Sequence, residues 1–466
     1  MSDDDGARVI VRFPNRRYTP TPALKEGLTD NSLMDATGKQ RRMFRRLDRS
    51  GRPIDWRRNL YAIWVAELLA ILGFSLRTPF LPFYLQDLGA TSDSAAALWS
   101  GIINAGGAGV MAFSAPLWGA IADRHGRRPM LIRAMFASTI TVGLMGFATA
   151  PWQLLGLRFV EGAFSGTVTA ATALVAVSMP KDRLGYGLGM IQMAVFSGAS
   201  LGPLFGGVLA AQIGYRATFG VAASMLFLGG LIVTFVVREQ FEPAPKKVGG
   251  PKGFSALRKA NAWMFTGLMG TLILILFASR FASSSVQPII PLMIEQLGDA
   301  GSLFNLSAPT VSGLALGMLG LTSAISSIFL GRLGDKRGHQ PVLLWCALGA
   351  GLLYLPMAFA SASWQIVVLQ GLFGIAAGGL VPAANALVAH HSPVEQRGTI
   401  YGVVAAAASL GGFFGPLVGA VIAASFGFGA AFFVTGVFLL IVTAMVWRAF
   451  QRQGTASPTA ETGVAS

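Results

Sequence analysis

Nearly uncharged stretches of about twenty residues recur along this chain between Leu60 and Val446. Each is long enough to cross about 30 Å of hydrocarbon as an α-helix, and we count about twelve of them. Only 12% of the residues are charged, which is about half the usual share in a soluble protein. The runs are continuous and rich in Ala, Gly and Leu, so they exclude the alternating strands of a membrane β-barrel. An all-α membrane protein with twelve transmembrane helices is therefore predicted.

The basic residues indicate how the chain is oriented. A formal net charge of +15 would suggest nucleic-acid binding in a soluble protein, but here the charges follow the loops. If the N-terminus is cytoplasmic, the outside loops hold only Arg216, and every inside segment is basic. This asymmetry predicts that both termini are cytoplasmic, that the protein lies in the cell (inner) membrane and that it has no nucleic-acid partner. Beyond the N-terminal tail, the inside residues are Arg124, Arg127, Arg128, Lys181, Arg183, the run Arg238 to Lys259, Arg332, Lys336, Arg337, Arg397, Arg448 and Arg452.

One long polar interruption divides the membrane region into six helices and six. We predict a disordered basic cytoplasmic tail over residues 1–55, because this segment is polar and rich in Pro, Asp and Arg. A six-helix bundle follows over 56–237, then a central cytoplasmic loop over 238–260. A second six-helix bundle occupies 261–449, and a cytoplasmic C-terminal tail occupies 450–466.

The two halves repeat one another. "TPFLPFYLQDLG", which ends at Gly89, is echoed by "QPIIPLMIEQLG", which ends at Gly298, and "GPLFGG" from Gly202 is echoed by "GPLVGA" from Gly415. The offset between matching motifs stays between 209 and 213 residues. A constant offset indicates a duplication, as in alternating-access transporters. It predicts two six-helix bundles related by a pseudo-two-fold repeat.

Several motifs resemble the major facilitator superfamily. "GAIADRHGRRPML" begins at Gly119 and returns in degenerate form as "GRLGDKRGHQPVL" from Gly331, and both resemble the family's loop 2–3 signature. "LRFVEG" from Leu157 is similar to the arginine motif of the fourth helix, and "GASLGPLFGG" from Gly198 to the fifth-helix motif of antiporters. "PFLPFYLQDLG" and "LWSGI" resemble the MdtG-type multidrug efflux members of the twelve-helix drug:proton antiporter group. The resemblance covers about residues 55–450 and implies proton-coupled export of drugs.

The resemblance also implies a cytoplasmic gate and an antiporter motif. The gate's glycines allow close approach and a tight turn, and its charges are expected to clamp the two bundles in one conformation and release them in another. A simpler interpretation is that its arginines only set the topology, and that the glycines of the fifth helix only serve packing. The gate residues are Gly119, Asp123, Arg124, Gly126, Arg127, Arg128 and Asp335, and the antiporter motif comprises Gly198, Gly202, Pro203, Gly206 and Gly207.

Five charged residues lie inside predicted helices. Each costs about 2.5–3.5 kcal/mol to insert, so each is expected to face a cavity or a partner. Arg158 and Glu161 lie three residues apart on one helix face and are expected to pair. Glu67 has no partner on its own helix, and desolvation disfavours the charged form of an unpaired acid. We therefore predict Glu67 as the proton acceptor, with Arg158 or Arg280 as its partner when it is ionised.

Alternatives remain for these residues. Glu161 is the second candidate for the coupling acid, and Glu67 is alternatively a wet residue near the cytoplasmic end. Arg77 either lines the substrate cavity or snorkels to the outer headgroups. The polar side chains are expected to line the cavity or to bond to neighbouring helices. The predicted cavity residues are Arg77, Arg280, Asn104, Gln192, Gln287 and Asn385, with Gln370 as a further amide.

Three function classes compete at this stage. A proton-coupled exporter of lipophilic drugs fits the repeat, the fifth-helix motif and the buried acids. A carrier of anionic solutes fits the excess of three arginines over two glutamates in the membrane. A membrane enzyme would need a nucleophile or acid–base constellation, and none is recognisable; a P-loop is also missing. No metal site or cofactor is predicted, and the expected partners are a small-molecule substrate, protons and the lipid bilayer, with the monomeric state usual in the family.

Overall fold

The computed structural model describes residues 55–180, 183–239, 267–298, 306–393 and 397–455. The predicted tail up to residue 54, the central loop from residue 240 and the chain from residue 456 lie outside the described residues. Helix α15 continues past the predicted bundle boundary at residue 449. The helices, in chain order, are α1 Trp56–Leu76, α2 Leu81–Asp87, α3 Asp93–His125, α4 Arg127–Met145, α5 Pro151–Phe164, α6 Thr167–Ser178, α7 Leu184–Ile213, α8 Tyr215–Phe235, α9 Gly267–Val286, α10 Ile290–Gln296, α11 Ala308–Arg337, α12 His339–Ala358, α13 Ser363–His391, α14 Arg397–Phe426 and α15 Phe428–Thr455.

Within the described residues, 11 spans are long and apolar enough to cross a membrane. The pair α5 and α6 forms one of these spans, and so does the pair α9 and α10. Helix α4 is the remaining crossing; it is less apolar because Arg127, Arg128 and Arg133 lie in its first two turns. Large aromatic side chains such as Phe235 and Phe426 are 77% and 78% exposed. Such an apolar exterior suits lipid rather than water, so the chain is an integral membrane protein.

Consecutive long helices are joined through glycines with positive φ. Gly126 (φ 100°) separates α3 from α4, and Gly338 (φ 92°) separates α11 from α12. Gly214 (φ 81°) and Gly427 (φ 86°) do the same between α7 and α8 and between α14 and α15. A side chain would strain this backbone conformation. The two glycines of each pair occupy equivalent positions in the two halves, so the turns follow the sequence repeat.

The halves form two six-helix bundles with matching internal packing. In the first bundle α1 packs on α7 and α8; in the second, α9 packs on α14 and α15. The close approach of α7 to α1 requires a glycine, because a Cβ at Gly206 would overlap the carbonyl oxygen of Leu76. At the equivalent place, a Cβ at Gly419 would overlap the carbonyl oxygen of Ser285. The pseudo-two-fold relation predicted from the motifs is confirmed at this level of detail.

The bundles meet through two equivalent contacts, α3 with α14 and α7 with α11. A Cβ added at Gly101 would lie 2.5 Å from the carbonyl oxygen of Pro416. A Cβ added at Gly313 would overlap the carbonyl oxygen of Pro203, the residue equivalent to Pro416. Backbones therefore touch at both crossings, and neither contact tolerates a side chain.

Both contacts lie towards one end of the molecule, which we call the Gln86 end. There the amide nitrogen of Gln86 donates to Glu295 of the second bundle and to Asp93, each at 3.1 Å, and α2 contacts α10. We call the other end, which carries Arg124, Arg183 and Arg332, the basic end. A Cβ atom added at a glycine near this end, such as Gly185 or Gly402, would meet nothing within 4 Å. Within the described residues, the bundles are thus closed at the Gln86 end, and these basic-end glycines face open space.

The fourth crossing is broken between α5 and α6. Gly166 adopts φ 117° there, and the carbonyl groups of Phe164 and Ser165 accept hydrogen bonds from Arg133 Nη2 at 3.2 and 3.5 Å. The Arg133 guanidinium also lies 3.4 Å from the centre of the Trp118 ring. The break therefore lies against a cation held by α3, α4 and α5 together.

Candidate functional site

Two arginines and one glutamate form a buried ion group. Arg77 donates from Nη1 and Nη2 to the two Glu161 carboxylate oxygens at 3.1 and 3.0 Å, and Arg158 Nη1 donates to Oε2 at 2.9 Å. The Glu161 side chain is only 4% exposed. The pairing of Arg158 with Glu161 was expected from their spacing; the bidentate pairing with Arg77 was not. Arg77 is therefore buried and ion-paired inside the protein, and the alternative of snorkelling to the headgroups is wrong.

Glu67 lies apart from this group. Its side chain is fully buried, which excludes the alternative of a wet residue near the helix end. Oε1 accepts a hydrogen bond from Thr167 Oγ1 at 3.0 Å, whereas Oε2 has no hydrogen-bond partner among the described residues. The expected pairing is not seen among the described residues in this conformation, because Arg158 binds Glu161 and Arg280 lines a cavity in the second bundle. Glu67 instead contacts the first residue of α6, directly after the helix break.

Arg280 lines a cavity in the second bundle that is larger than the one beside the ion group. This cavity, of about 470 Å³, lies in the second bundle between α9, α13 and α14. Asn385 also lines it, as does Tyr401, whose hydroxyl donates to the Asn385 carbonyl oxygen at 3.2 Å. The rest of the lining is mostly apolar: Leu276, Phe373, Leu380, Val381, Val404 and Leu439. A ligand here would contact a mostly apolar lining and one cationic side chain, which is the usual composition of a small-molecule site.

A smaller cavity of about 190 Å³ lies between the bundles near the Gln86 end. Arg77 and Arg158 line it from the first bundle, together with Asn104 and Ser100, and Gln287 lines it from the second. Two of the predicted amides, Asn104 and Gln287, are therefore brought beside the ion group. Its lining is polar, unlike that of the larger cavity.

The remaining predicted amides lie outside both cavities. Gln192 is exposed on α7, and Gln370 is buried, with Nε2 3.7 Å from the sulfur of Met357. Gln370 occupies the position in α13 that Arg158 occupies in α5. The second half thus carries a neutral amide where the first half carries a buried cation.

The glycines of the fifth-helix motif are all packing positions. Gly198, Gly202 and Gly206 face α1, and Gly207 faces Pro309 of the second bundle. Pro203 provides the carbonyl oxygen that touches Gly313. This segment therefore contacts α1 on one side and the neighbouring bundle on the other.

Among the described residues, the ion pairs of the predicted gate loop stay within its own bundle in this conformation. Asp123 is 66% exposed and its ion pair is with Arg127, at 3.5 Å. Asp335 is 74% exposed and lies 3.4 Å from His339. Gly126 makes the expected tight turn, but a Cβ at Gly119 would meet nothing within 4 Å, so close helix approach does not explain Gly119 here.

Sequence reasoning missed the residue that holds this loop. The carboxylate of Glu239 accepts hydrogen bonds from the backbone N–H groups of Arg127 and Arg128, at 2.8 to 3.0 Å. The Arg128 side chain donates to the carbonyl oxygens of Val233 and Thr234. An acid at the N-terminus of α4 is favourable, but nothing in the motif points to a partner more than a hundred residues away. Thr167 was missed for the same reason, because its partner Glu67 lies 100 residues away.

Comparison with known proteins confirms the resemblance seen in the motifs. The family model described as Major Facilitator Superfamily matches residues 63–278 and 272–464. The multidrug resistance protein MdtG of Serratia proteamaculans (strain 568) is 36% identical over 404 residues, covering 86% of this chain and 96% of the relative. MdtG of Dickeya zeae (strain Ech586) is 37% identical over 403 residues, with the same coverage.

A solved structure has the same fold. The bacterial homolog to the human lysosomal transporter Spinster, in an inward-facing and occupied conformation, matches with a TM-score of 0.69 at 16% identity, covering 84% of this chain and 96% of that one. The family match, the sequence relatives and the shared fold all extend over most of the described bundles. The chain belongs to the Major Facilitator Superfamily.

Proposed function

We propose that this membrane transporter exports lipophilic drugs and related amphiphiles in exchange for protons, by alternating access. Its relatives are named multidrug resistance proteins, and family membership makes it a carrier of small molecules rather than an enzyme. These relatives favour efflux over a general carrier of anionic solutes. The observation that carries the proton coupling is the fully buried carboxyl of Glu67, which among the described residues has one hydrogen bond and no ion pair.

Glu67 is better placed to exchange a proton than Glu161. Two guanidinium groups bind Glu161, and both of its oxygens are occupied, so loss of its charge would leave two cations uncompensated. Within the part of the chain that the structure describes, the one hydrogen-bond partner of Glu67 is the neutral hydroxyl of Thr167. A negative charge at this buried position has no ion-pair partner among the described residues to offset it. The free energy of this conformation therefore differs between the protonated and the ionised form of Glu67. We assign Glu67 as the coupling acid and the Arg77–Glu161–Arg158 group as a fixed charge centre.

The larger cavity suits the substrate. Its apolar lining accepts lipophilic surface of varied shape, and Arg280 and Asn385 offer polar contacts. Because the bundles are closed at the Gln86 end, a substrate enters this conformation from the basic end. We assign the basic end to the cytoplasm, with both termini on the cytoplasmic side of the cell membrane, because basic loops stay on that side. We also propose that the protein works as a monomer, as is usual in its family.

The loop charges then act in the opposite conformation. Asp123 and Asp335 are exposed here, and they are available to contact the other bundle when the basic end closes. In that conformation the Gln86 end opens, the drug leaves, and a proton enters to reach Glu67. The gate therefore stabilises one of two discrete arrangements.

Proton exchange in inside-out membrane vesicles tests this function. The vesicle lumen is acidified, a pH-sensitive dye reports the gradient, and a lipophilic cation is added to the wild type and to Glu67→Gln. We expect the cation to release protons through the wild type and to release none through Glu67→Gln, because the amide keeps the hydrogen bond to Thr167 but carries no exchangeable charge.

The matched control is Asp87→Asn, the same carboxyl-to-amide change at an exposed position at the end of α2. It should leave the signal at the wild-type level. Proton release by Glu67→Gln at the wild-type rate would move the coupling to another acid. A wild type that releases no protons with any lipophilic cation would overturn the antiport itself.

A further inference from the structure

The small cavity between the bundles is unlike a drug site. Its volume of about 190 Å³ is below the range of about 300–1,000 Å³ that drug-sized ligands occupy. It is several times the share of about 30 Å³ that one water molecule takes up in the liquid. A compact group of a few heavy atoms fits, and a whole amphiphile does not.

The charge beside this cavity is uncompensated. Arg77 and Arg158 both line it and share the single carboxylate of Glu161, so the group carries one net positive charge. Among the residues that the structure describes, no other acid lines the cavity. A buried cation without a counter-charge is costly in a membrane, and an anion is the ligand that offsets this cost.

Two unused hydrogen-bond donors belong to residues that line the same cavity. Ser100 is fully buried and its Oγ has no hydrogen-bond partner among the described residues. Within the same set, Arg158 Nε is buried and equally without a partner, while Nη1 is engaged by Glu161. Buried donors are nearly always satisfied. Two buried donors without an acceptor among the described residues, both in residues that line one cavity, favour an acceptor bound there.

Both bundles contribute to the lining. Ser100, Asn104 and the two arginines belong to the first bundle, and Gln287 and Pro288 to the second. The cavity is therefore complete only when the Gln86 end is closed, as here. Opening that end would withdraw Gln287 and admit water to the arginines.

We infer that this cavity is a binding subsite for a compact anion or anionic group, held by Arg158, Ser100 and the net charge of the Arg77–Glu161–Arg158 group. Its source is either a free inorganic anion or the anionic end of a transported solute. The subsite stands apart from the proposed efflux, because its occupation is measured on purified protein without any transport.

Thermal unfolding of the full chain in neutral detergent tests the inference. Chloride, inorganic phosphate and benzoate are titrated at constant ionic strength against gluconate, with benzamide as the neutral counterpart of benzoate. We expect at least one anion to raise the midpoint saturably, as binding to the native state requires. Ser100→Ala should weaken its apparent affinity by about tenfold, the usual effect of losing one hydrogen bond to a charged group.

Ser138→Ala is the matched control. Ser138 is also fully buried with an unpartnered Oγ, but it lies on α4 and does not line the cavity, so it should bind as the wild type does. Arg158→Lys, which keeps the charge and removes the Nε–H donor, provides a second variant should Ser100→Ala not fold.

The outcomes separate the sources. Stabilisation by chloride or phosphate that Ser100→Ala weakens supports a free anion, and stabilisation by benzoate but not benzamide or chloride supports the anionic end of a solute. If every anion binds the wild type, Ser100→Ala and Arg158→Lys with equal affinity, the inference is overturned. The lack of any saturable anion effect on the wild type would overturn it as well.

Discussion

Gly101→Ala is expected to shift the protein away from the conformation in which the Gln86 end is closed. The added methyl group would lie 2.5 Å from both the Pro416 carbonyl oxygen and the Ala420 Cβ, and both atoms belong to the other bundle. The bundles must therefore move apart, whereas the packing inside each bundle is unaffected. Gly313→Ala should act in the same direction, because its methyl group would overlap the Pro203 carbonyl oxygen at the equivalent contact.

The size of the shift follows from the cost of overpacking. An extra methyl group in a tight contact costs about 1–3 kcal/mol. At about 1.4 kcal/mol per factor of ten, the ratio of closed to open molecules should fall by a factor of about 5 to 150. If half of the wild-type molecules are closed, the closed share in the variant should fall to between about one in six and about one in 150.

Pulsed electron–electron distance measurements provide the assay. Spin labels are placed at Asp87 and Gln296, which are exposed at the Gln86 end of the two bundles, in a Cys346→Ala background that removes the one native cysteine. We expect a short distance in the wild type and a longer distance in Gly101→Ala. Gly143→Ala is the control, because its methyl group would meet Ala223 Cβ at an ordinary 3.5 Å within the first bundle. Equal distance distributions in Gly101→Ala and the wild type would refute the reasoning.

Two further predictions concern charge. Glu161→Gln should lower the thermal midpoint in detergent far more than Arg158→Gln, since it leaves two buried guanidinium groups without a counter-charge, a loss of about 3–5 kcal/mol for a broken buried pair; equal midpoints would contradict a shared carboxylate. Gln86→Glu should open the Gln86 end at neutral pH, because it places a third carboxylate beside Asp93 and Glu295, and acidification should restore closure because protonation removes the repulsion. The spin-label distance measures this effect, and a distance that does not depend on pH would count against it.

The sequence predicts the fold well because the fold depends on local composition and on the repeat. Runs of apolar residues determine which segments are helices in a membrane, and the constant offset predicts that Gly206 and Gly419 make the same contact. The spacing of Arg158 and Glu161 predicts their ion pair, because residues three apart share a helix face. In each case the interacting residues are near neighbours or are related by the duplication.

The contacts that the sequence does not predict join distant segments. Arg77 and Glu161 are 84 residues apart, and Glu67 and Thr167 are 100 residues apart. A shift of one helix by a turn along its axis, about 5.4 Å, would change these partners without altering the hydrophobic pattern. The state of the gate is equally invisible, since one sequence must support both the open and the closed arrangement, and Asp123 is placed to contribute to only one of them at a time.

The arginine in α4 has a consequence for how the protein is made. Arg133 is stabilised by the Trp118 ring on α3 and by carbonyl oxygens at the end of α5, and it makes α4 the least apolar of the crossings. During synthesis α3 precedes α4, but the carbonyl groups of α5 do not yet exist when α4 leaves the ribosome. Isolated α4 would pay the insertion cost of an arginine that is only partly compensated. Stable membrane insertion of α4 should therefore depend on the emergence of α5, so that α3, α4 and α5 enter the bilayer as one unit. In a chain truncated after α4, that helix should be retained poorly in the membrane.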